Sequence, residues 1–75
     1  MGNELDGANG ATYYDVSING NIISCNDVID ALGMNFNQGE AFKALWRAGN
    51  KPGTSLKYDM DKAAYFTARE AKRHG

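Results

Sequence analysis

Residues 12–33, TYYDVSINGNIISCNDVIDALG, decide the fold. The β-formers Tyr14, Val16 and Ile18 alternate up to Asn19-Gly20, and Ile22 and Ile23 follow it. Asn-Gly accepts the positive φ angles of a tight two-residue turn, so the pattern predicts a β-hairpin, or at least an extended arm. A hairpin of this size is marginal alone and must rest against helices. Immediately after it, Ser24 and Asp27 stand three apart ahead of Val28, Ile29 and Leu32, a loose capping box that opens a short helix for Gly33 to close.

On the N-terminal side, residues 1–11 (MGNELDGANGA) hold hardly any apolar side chains and are expected to be a flexible tail. On the C-terminal side, Asn37 and Glu40 form a second box, opening a helix with Phe42, Leu45 and Trp46 on one face and Gly49 at its end. The turn formers of residues 50–55 make a loop. A third helix is expected from Leu56 to Lys72, where Leu56, Met60, Ala63, Ala64, Thr67 and Ala71 share one stripe, widened by Phe66. Tyr58, Lys62, Tyr65 and Arg69 fall on another side, and the last residues should fray. The expected fold is therefore mainly α: an N-terminal β-hairpin or extended arm followed by three helices, one small domain over 12–75. Its expected core is Val28, Ile29, Leu32, Phe36, Phe42, Leu45, Trp46, Met60, Ala63 and Phe66.

The 75 residues leave no room for a second domain, and a chain this short has a thin core that favours a dimer or larger homo-oligomer. With no apolar run of about 18 residues and no basic, apolar leader, the expectation is a cytoplasmic protein without a membrane partner. One cysteine and one histidine exclude an internal disulfide and the usual zinc sites. The net charge of −1 conceals a division. Residues 1–40 carry six carboxylates and no Lys or Arg, whereas residues 41–75 carry eight cations against three carboxylates. If the fold separates these halves, one side attracts anions and the other attracts basic partners.

No triphosphate-binding glycine loop, GxGxxG or HExxH occurs. Lys43 and Arg47 lie four apart on the second helix with Lys51 just beyond it, so three cations suit a phosphate at one corner, or a solvated face with Glu40 compensating. The Tyr58, Lys62, Tyr65, Arg69 face mixes the aromatics and cations that bind bases and phosphates, although Tyr65 is expected to lay its ring on the core rim. Extended nucleic acid is not favoured. Asp59 suits either the helix dipole or a magnesium ion held through water, and Asp61 does not share its face. Cys25 has no histidine nearby in sequence to activate it, and His74 lies in the expected frayed end without a partner.

Three ordered segments carry a resemblance. They are Cys25-Asn26-Asp27-Val28-Ile29-Asp30-Ala31-Leu32-Gly33, then Asn35-Phe36-Asn37-Gln38-Gly39-Glu40-Ala41-Phe42-Lys43, then Trp46-Arg47-Ala48-Gly49-Asn50-Lys51. With the helix Asp59-Met60-Asp61-Lys62-Ala63-Ala64-Tyr65-Phe66-Thr67-Ala68-Arg69-Glu70, they make the chain similar to a family of small tailed-phage proteins catalogued as a domain of unknown function and often labelled nucleotide kinase. The resemblance implies a phage protein at work in an infected bacterium, with ATP and magnesium as cofactors if it extends to kinase activity. By matching positions it implies phosphate or substrate contacts from Lys43, Arg47, Gly49, Lys51, Lys62 and Arg69, with Asp59 on the metal side. No catalytic residue is assigned. The family's usual histidine before the first helix is missing from Tyr13-Tyr14-Asp15, and Asp61 replaces the first of two helix lysines. Two functions of different classes follow. One is nucleotide or phosphate binding at the basic helix corner. The alternative is a non-enzymatic effector that binds a host or anti-phage defence protein through the acidic half and the hairpin edge.

Overall fold

Asn19 (φ 52°) and Gly20 (φ 82°) both adopt positive φ, the requirement of a two-residue hairpin turn. The turn joins β1 (Asp15–Ile18) to β2 (Asn21–Ser24), antiparallel, with Val16 opposite Ile23 and Ile18 opposite Asn21. The computed structural model describes residues 12–75, so the expected N-terminal tail lies outside the described residues. A single 3-10 turn, Thr12–Tyr14, precedes β1. Tyr14 thus belongs to that turn and not to the alternating strand, because its hydroxyl is held elsewhere.

Three helices follow: α1 (Cys25–Ala31), α2 (Phe36–Arg47) and α3 (Leu56–Arg73). The expected mainly α fold with an N-terminal hairpin is the one observed. Ser24 is the N-cap of α1 but makes no side-chain capping bond, so the box expected with Asp27 does not form. The other end is the stop that Gly33 announces. With φ 65°, Gly33 donates its N–H to the Asp30 carbonyl while Met34 donates to that of Ile29, the paired bonds of a Schellman motif.

The start of α2 differs from expectation. Its box is Asn35 with Gln38, where the Gln38 N–H donates to Asn35 Oδ1 and the Asn35 N–H to Gln38 Oε1, each at 2.9 Å. Asn35-x-x-Gln38 and Asn37-x-x-Glu40 carry the same local signal, and tertiary partners decide between them. Asn37 is turned inward to Glu70, and Glu40 is held by lysines. Ser55 caps α3 by accepting from the Tyr58 N–H.

α2 and α3 pack antiparallel, as their end contacts show: Asn37 meets Glu70 at one end and Arg47 meets Asp59 at the other. Between these polar ends lie Ala41, Ala44 and Ala63, with Phe66 beside them, and Cys25 is buried apart under the hairpin–helix junction. The core is thus built from small residues. Of the expected core, Ala63 is buried and Val28, Ile29, Phe42, Trp46 and Phe66 are half-buried. Leu32 (65% exposed), Phe36 (68%) and Leu45 (53%) are not core residues, and Met60 lies at the surface. The inward stripe of α3, with Asp59 and Ala63 buried and Phe66 and Glu70 half-buried, is not the apolar one, because alanines let the helices approach closely and leave large side chains to the flanks.

The hairpin packs chiefly on α1 and the 3-10 turn, and Val16, Ile18 and Ile22 remain exposed. α3 runs one residue past the expected end, and His74 is not free: its Nε2 lies 2.8 Å from Glu70 Oε2. No described helix is long and apolar enough to cross a membrane.

Candidate functional site

Arg47 ends α2 and Asp59 lies in the first turn of α3, so the antiparallel packing brings them face to face. Arg47 Nε donates to Asp59 Oδ1 at 2.9 Å and Nη1 to the Tyr14 hydroxyl at 3.1 Å. The second carboxylate oxygen accepts the Gly49 N–H at 3.0 Å and the Thr54 hydroxyl at 3.5 Å. Gly49 can bend back this way because its φ is +76°. The side chains are sealed from solvent, at 4% exposure for Arg47 and 0% for Asp59.

Burial alone would raise the Asp59 carboxyl, but the Gly49 N–H and the Arg47 guanidinium outweigh it and hold it below the usual carboxylate range. Burial likewise opposes the charge on Arg47, yet Tyr14 and Asp59 together keep it firmly cationic. The pair is therefore ionised and internally satisfied. It ties the α2–α3 loop to both helices, and Thr54 tightens the loop further: its N–H donates to the Lys51 carbonyl, and its single hydroxyl proton lies between that carbonyl at 3.1 Å and Asp59 Oδ2 at 3.5 Å.

This geometry corrects two of the expected roles. Arg47 and the Gly49 N–H are directed at Asp59, not at an external phosphate. Asp59 has no oxygen turned outward for magnesium, and Asp61 is paired with Lys57 at 2.6 Å. No group of three or more His, Cys, Asp or Glu side chains suited to a metal occurs among the described residues. The donor set does not fit a magnesium ion at this corner, and no step through a metal–nucleotide complex is derived.

The other expected cations divide into separate groups. Lys43 and Lys62, from α2 and α3, converge on Glu40, with Nζ–Oε distances of 3.3 and 3.6 Å. Lys43 and Glu40 also line a cleft of about 250 Å³ between α1 and α2, together with Asn26, Ile29, Met34 and Phe36. Gly39 forms part of its floor, where a Cβ would already stand 3.6 Å from Ile29. Lys51 lies half-buried in the loop, without an ion-pair partner among the described residues. Arg69 is elsewhere, on the outer face of α3 with Tyr65, Ala68 and Lys72. Tyr65 is 61% exposed and not on the core rim. Cys25 is buried beside the cleft, and burial pushes its thiol up despite the nearby Lys43 charge, the opposite of an activated nucleophile.

At the far end of the α2–α3 pair Glu70 accepts from Asn35 Nδ2 at 2.7 Å, Asn37 Nδ2 at 3.1 Å and Arg73 Nη1 at 3.1 Å. Its carboxyl is lowered to about 2, first by the His74 hydrogen bond and then by the two asparagines. Sequence reasoning missed Tyr14, Thr54 and Glu70 as partners. The Ser/Thr-rich loop gave only a turn signal, and contacts 33 and 35 residues apart leave no local trace. No family model, curated protein or solved structure matches the chain.

Proposed function

We propose that the chain binds a nucleotide, with its phosphate on Lys43 and Lys62 and its base in the cleft between α1 and α2. The observation that carries this reading is a cleft lined by apolar side chains together with amides, the Glu40 carboxylate and the Lys43 cation. Ile29, Met34 and Phe36 offer apolar surface to a flat ring, Asn26 offers an amide to its polar edge, and Lys43 stands where a phosphate would be charged. Its volume of about 250 Å³ lies below the roughly 300–1,000 Å³ of ligand pockets, so the cleft takes the base alone and leaves sugar and phosphate outside it. The resemblance to nucleotide-kinase-like phage proteins supports the same ligand class, while of the three cations expected at the basic corner only Lys43 stays in this reading, joined by Lys62 from α3. Glu40 holds both ammonium groups in place and competes with an incoming phosphate for them.

The test is a titration of deoxynucleoside monophosphates into isotope-labelled protein, followed by amide chemical shifts. Shifts should centre on Ile29, residues 34–39 and Lys43. Lys43→Ala should weaken the response, and Glu40→Gln should strengthen it by removing the competing carboxylate. No shift at millimolar ligand, or an unchanged response in Lys43→Ala, refutes the reading.

A second reading rests on the hairpin. Ile18 (54% exposed) and Ile22 (69%) stand on a two-stranded sheet with both edges open, as in proteins that recruit a partner by strand addition. Here the phage protein acts as a non-enzymatic effector on a basic host or defence protein. Replacing Asp15, Asp27 and Asp30 by lysine would weaken that complex and leave the nucleotide titration unchanged. A complex indifferent to those changes and to salt overturns it.

A further inference from the structure

The register of α2 against α3 gathers aromatic rings and cations on one face of the helix pair. Glu40 of α2 lies opposite Lys62 of α3, at 3.6 Å, and Lys43 stands 3.3 Å from the same carboxylate. One turn along, Phe36 stands opposite Phe66 with ring centroids 5.8 Å apart and planes at 80°, and Phe66 in turn meets Tyr65 at 5.0 Å and 86°. Arg69 is four residues on from Tyr65 and three from Phe66, so it stands beside both rings, and Lys72 lines one groove with Tyr65 and Arg69. Two lysines therefore lie at one end of this face, the rings in the middle and two further cations at the other end. From Lys62 to Lys72 the helix rises about 15 Å.

Two of the three rings are open to solvent. Phe36 is 68% exposed and Tyr65 61%, while Phe66 is half-buried between them. In an edge-to-face contact a ring touches its neighbour by its rim or by one flat side, so Phe36 and Tyr65 each keep at least one flat side clear of Phe66. The expectation against extended nucleic acid accompanied a Tyr65 laid on the core rim, and its exposure removes that ground. Nor are the charges all matched within the fold. Lys43 and Lys62 share one carboxylate, and Arg69 and Lys72, both exposed, have no anionic partner among the described residues.

We propose that this face binds single-stranded nucleic acid, with bases stacked on Phe36 and Tyr65 and phosphates held by Lys43 and Lys62 at one end and by Arg69 and Lys72 at the other. Exposed rings with cations on both sides match a strand of unpaired bases, since every base offers a flat π-surface and every linkage a negative charge. Aromatic platforms in RNA-binding sheets stack about two or three bases in this way. A duplex hides the flat sides of its bases and gains nothing from the rings, and an acidic peptide answers the cations alone. Lys43 and Phe36 also serve the nucleotide reading, but Tyr65, Arg69 and Lys72 lie outside the cleft, so the two readings can fail separately.

Fluorescence anisotropy of a labelled oligothymidylate of about twenty nucleotides, titrated with the full chain, tests it. The expected Kd lies between about 1 and 100 μM at physiological salt, the range of sequence-independent binding. Tyr65→Ala should weaken binding roughly fivefold or more, and Tyr65→Phe, which keeps the ring, should retain it. Arg69→Ala with Lys72→Ala should lower the slope of log affinity against log salt by about 1.4, at about 0.7 per phosphate of a single strand. Far-ultraviolet circular dichroism should report unchanged helix content, since all three side chains are exposed. The duplex with oligoadenylate should bind more weakly than the single strand, and polyglutamate at equal charge should not displace the strand. No anisotropy change at submillimolar protein, equal affinity for the duplex, an unchanged Kd in Tyr65→Ala, or displacement by polyglutamate would each overturn the proposal, the last in favour of an acidic peptide. Oligonucleotide binding without monophosphate shifts would leave this face standing and refute the cleft, whereas monophosphate shifts without oligonucleotide binding would do the reverse.

Discussion

Asp59→Asn replaces one oxygen of the side chain by an NH₂ group and should remove a large share of the stability of the fold. The asparagine has the shape of the carboxylate, but only one of its terminal atoms accepts hydrogen bonds. The carboxylate now faces donors on both sides: Arg47 Nε at 2.9 Å, and the Gly49 N–H at 3.0 Å with the Thr54 hydroxyl beyond it. Whichever way the amide turns, its NH₂ meets a donor, and the guanidinium is left charged, unpaired and 4% exposed. Breaking a buried pair by removing one partner costs about 3–5 kcal/mol. A domain of this size has a total stability of roughly 4–11 kcal/mol, at about 0.05–0.15 kcal/mol per residue. The variant thus loses about a quarter of its stability or more, and its Tm should fall by about 12 °C at the least, from about 4 °C per kcal/mol for small domains. Urea unfolding followed by far-ultraviolet circular dichroism at neutral pH measures it. Arg47→Lys should fail nearly as badly, because one ammonium cannot reach both Asp59 and Tyr14 in the fixed geometry of the guanidinium. Arg47→Met combined with Asp59→Leu should be less destabilised than the sum of its parts, with the Gly49 N–H as the remaining cost. A loss below about 1 kcal/mol for Asp59→Asn, the size of an exposed ion pair, would refute the assignment of a sealed pair.

Other expectations follow from the same geometry. Gly49→Ala should cost about 1–2 kcal/mol in urea unfolding, from the left-handed backbone and not from crowding, because the new Cβ would meet Leu56 at an ordinary 3.6 Å. The Glu70 carboxyl is depressed to about 2 from 4.5, so its contribution is complete above about pH 4.5 and is lost as pH falls toward 2. Glu70→Gln should flatten the fall of the urea midpoint across that window, and a parallel fall in both proteins would contradict the assignment. Cys25, buried and with its thiol pushed up, should react with a thiol reagent far more slowly in the folded chain at pH 8 than in urea. Equal rates would show that it is open to solvent.

What the sequence reveals here is what local chemistry determines. Asn19-Gly20 announces its turn because positive φ is a property of those two residues, and Gly33 announces the end of α1 for the same reason. The start of α2 is two residues from its expected place because two overlapping boxes read alike, and Glu70, half the chain away, selects one by taking Asn37. The wheel for α3 assumes that apolar residues face inward. That assumption fails where a carboxylate at each end of the stripe finds buried partners, so Asp59 and Glu70 are drawn in while Leu56 and Met60 turn out. Six of the seven candidate site residues are charged, but charge carries no information about distance. The structure divides them among a sealed pair, a lysine pair on Glu40, a loop lysine and a separate face of α3.

The alanine seam between α2 and α3 reverses the customary order of mutational tolerance. Ala41, Ala44 and Ala63 are the plainest residues in the chain, yet any larger side chain there wedges the helices apart and lengthens the bonds at both ends of the pair. Leu32, Phe36 and Leu45 are each more than half exposed, so foldability alone places fewer demands on them. In a lineage evolving only to keep this fold, the small residues would stand still while the large ones drifted. Wherever the large ones also stand still, selection is acting on something outside the single folded chain.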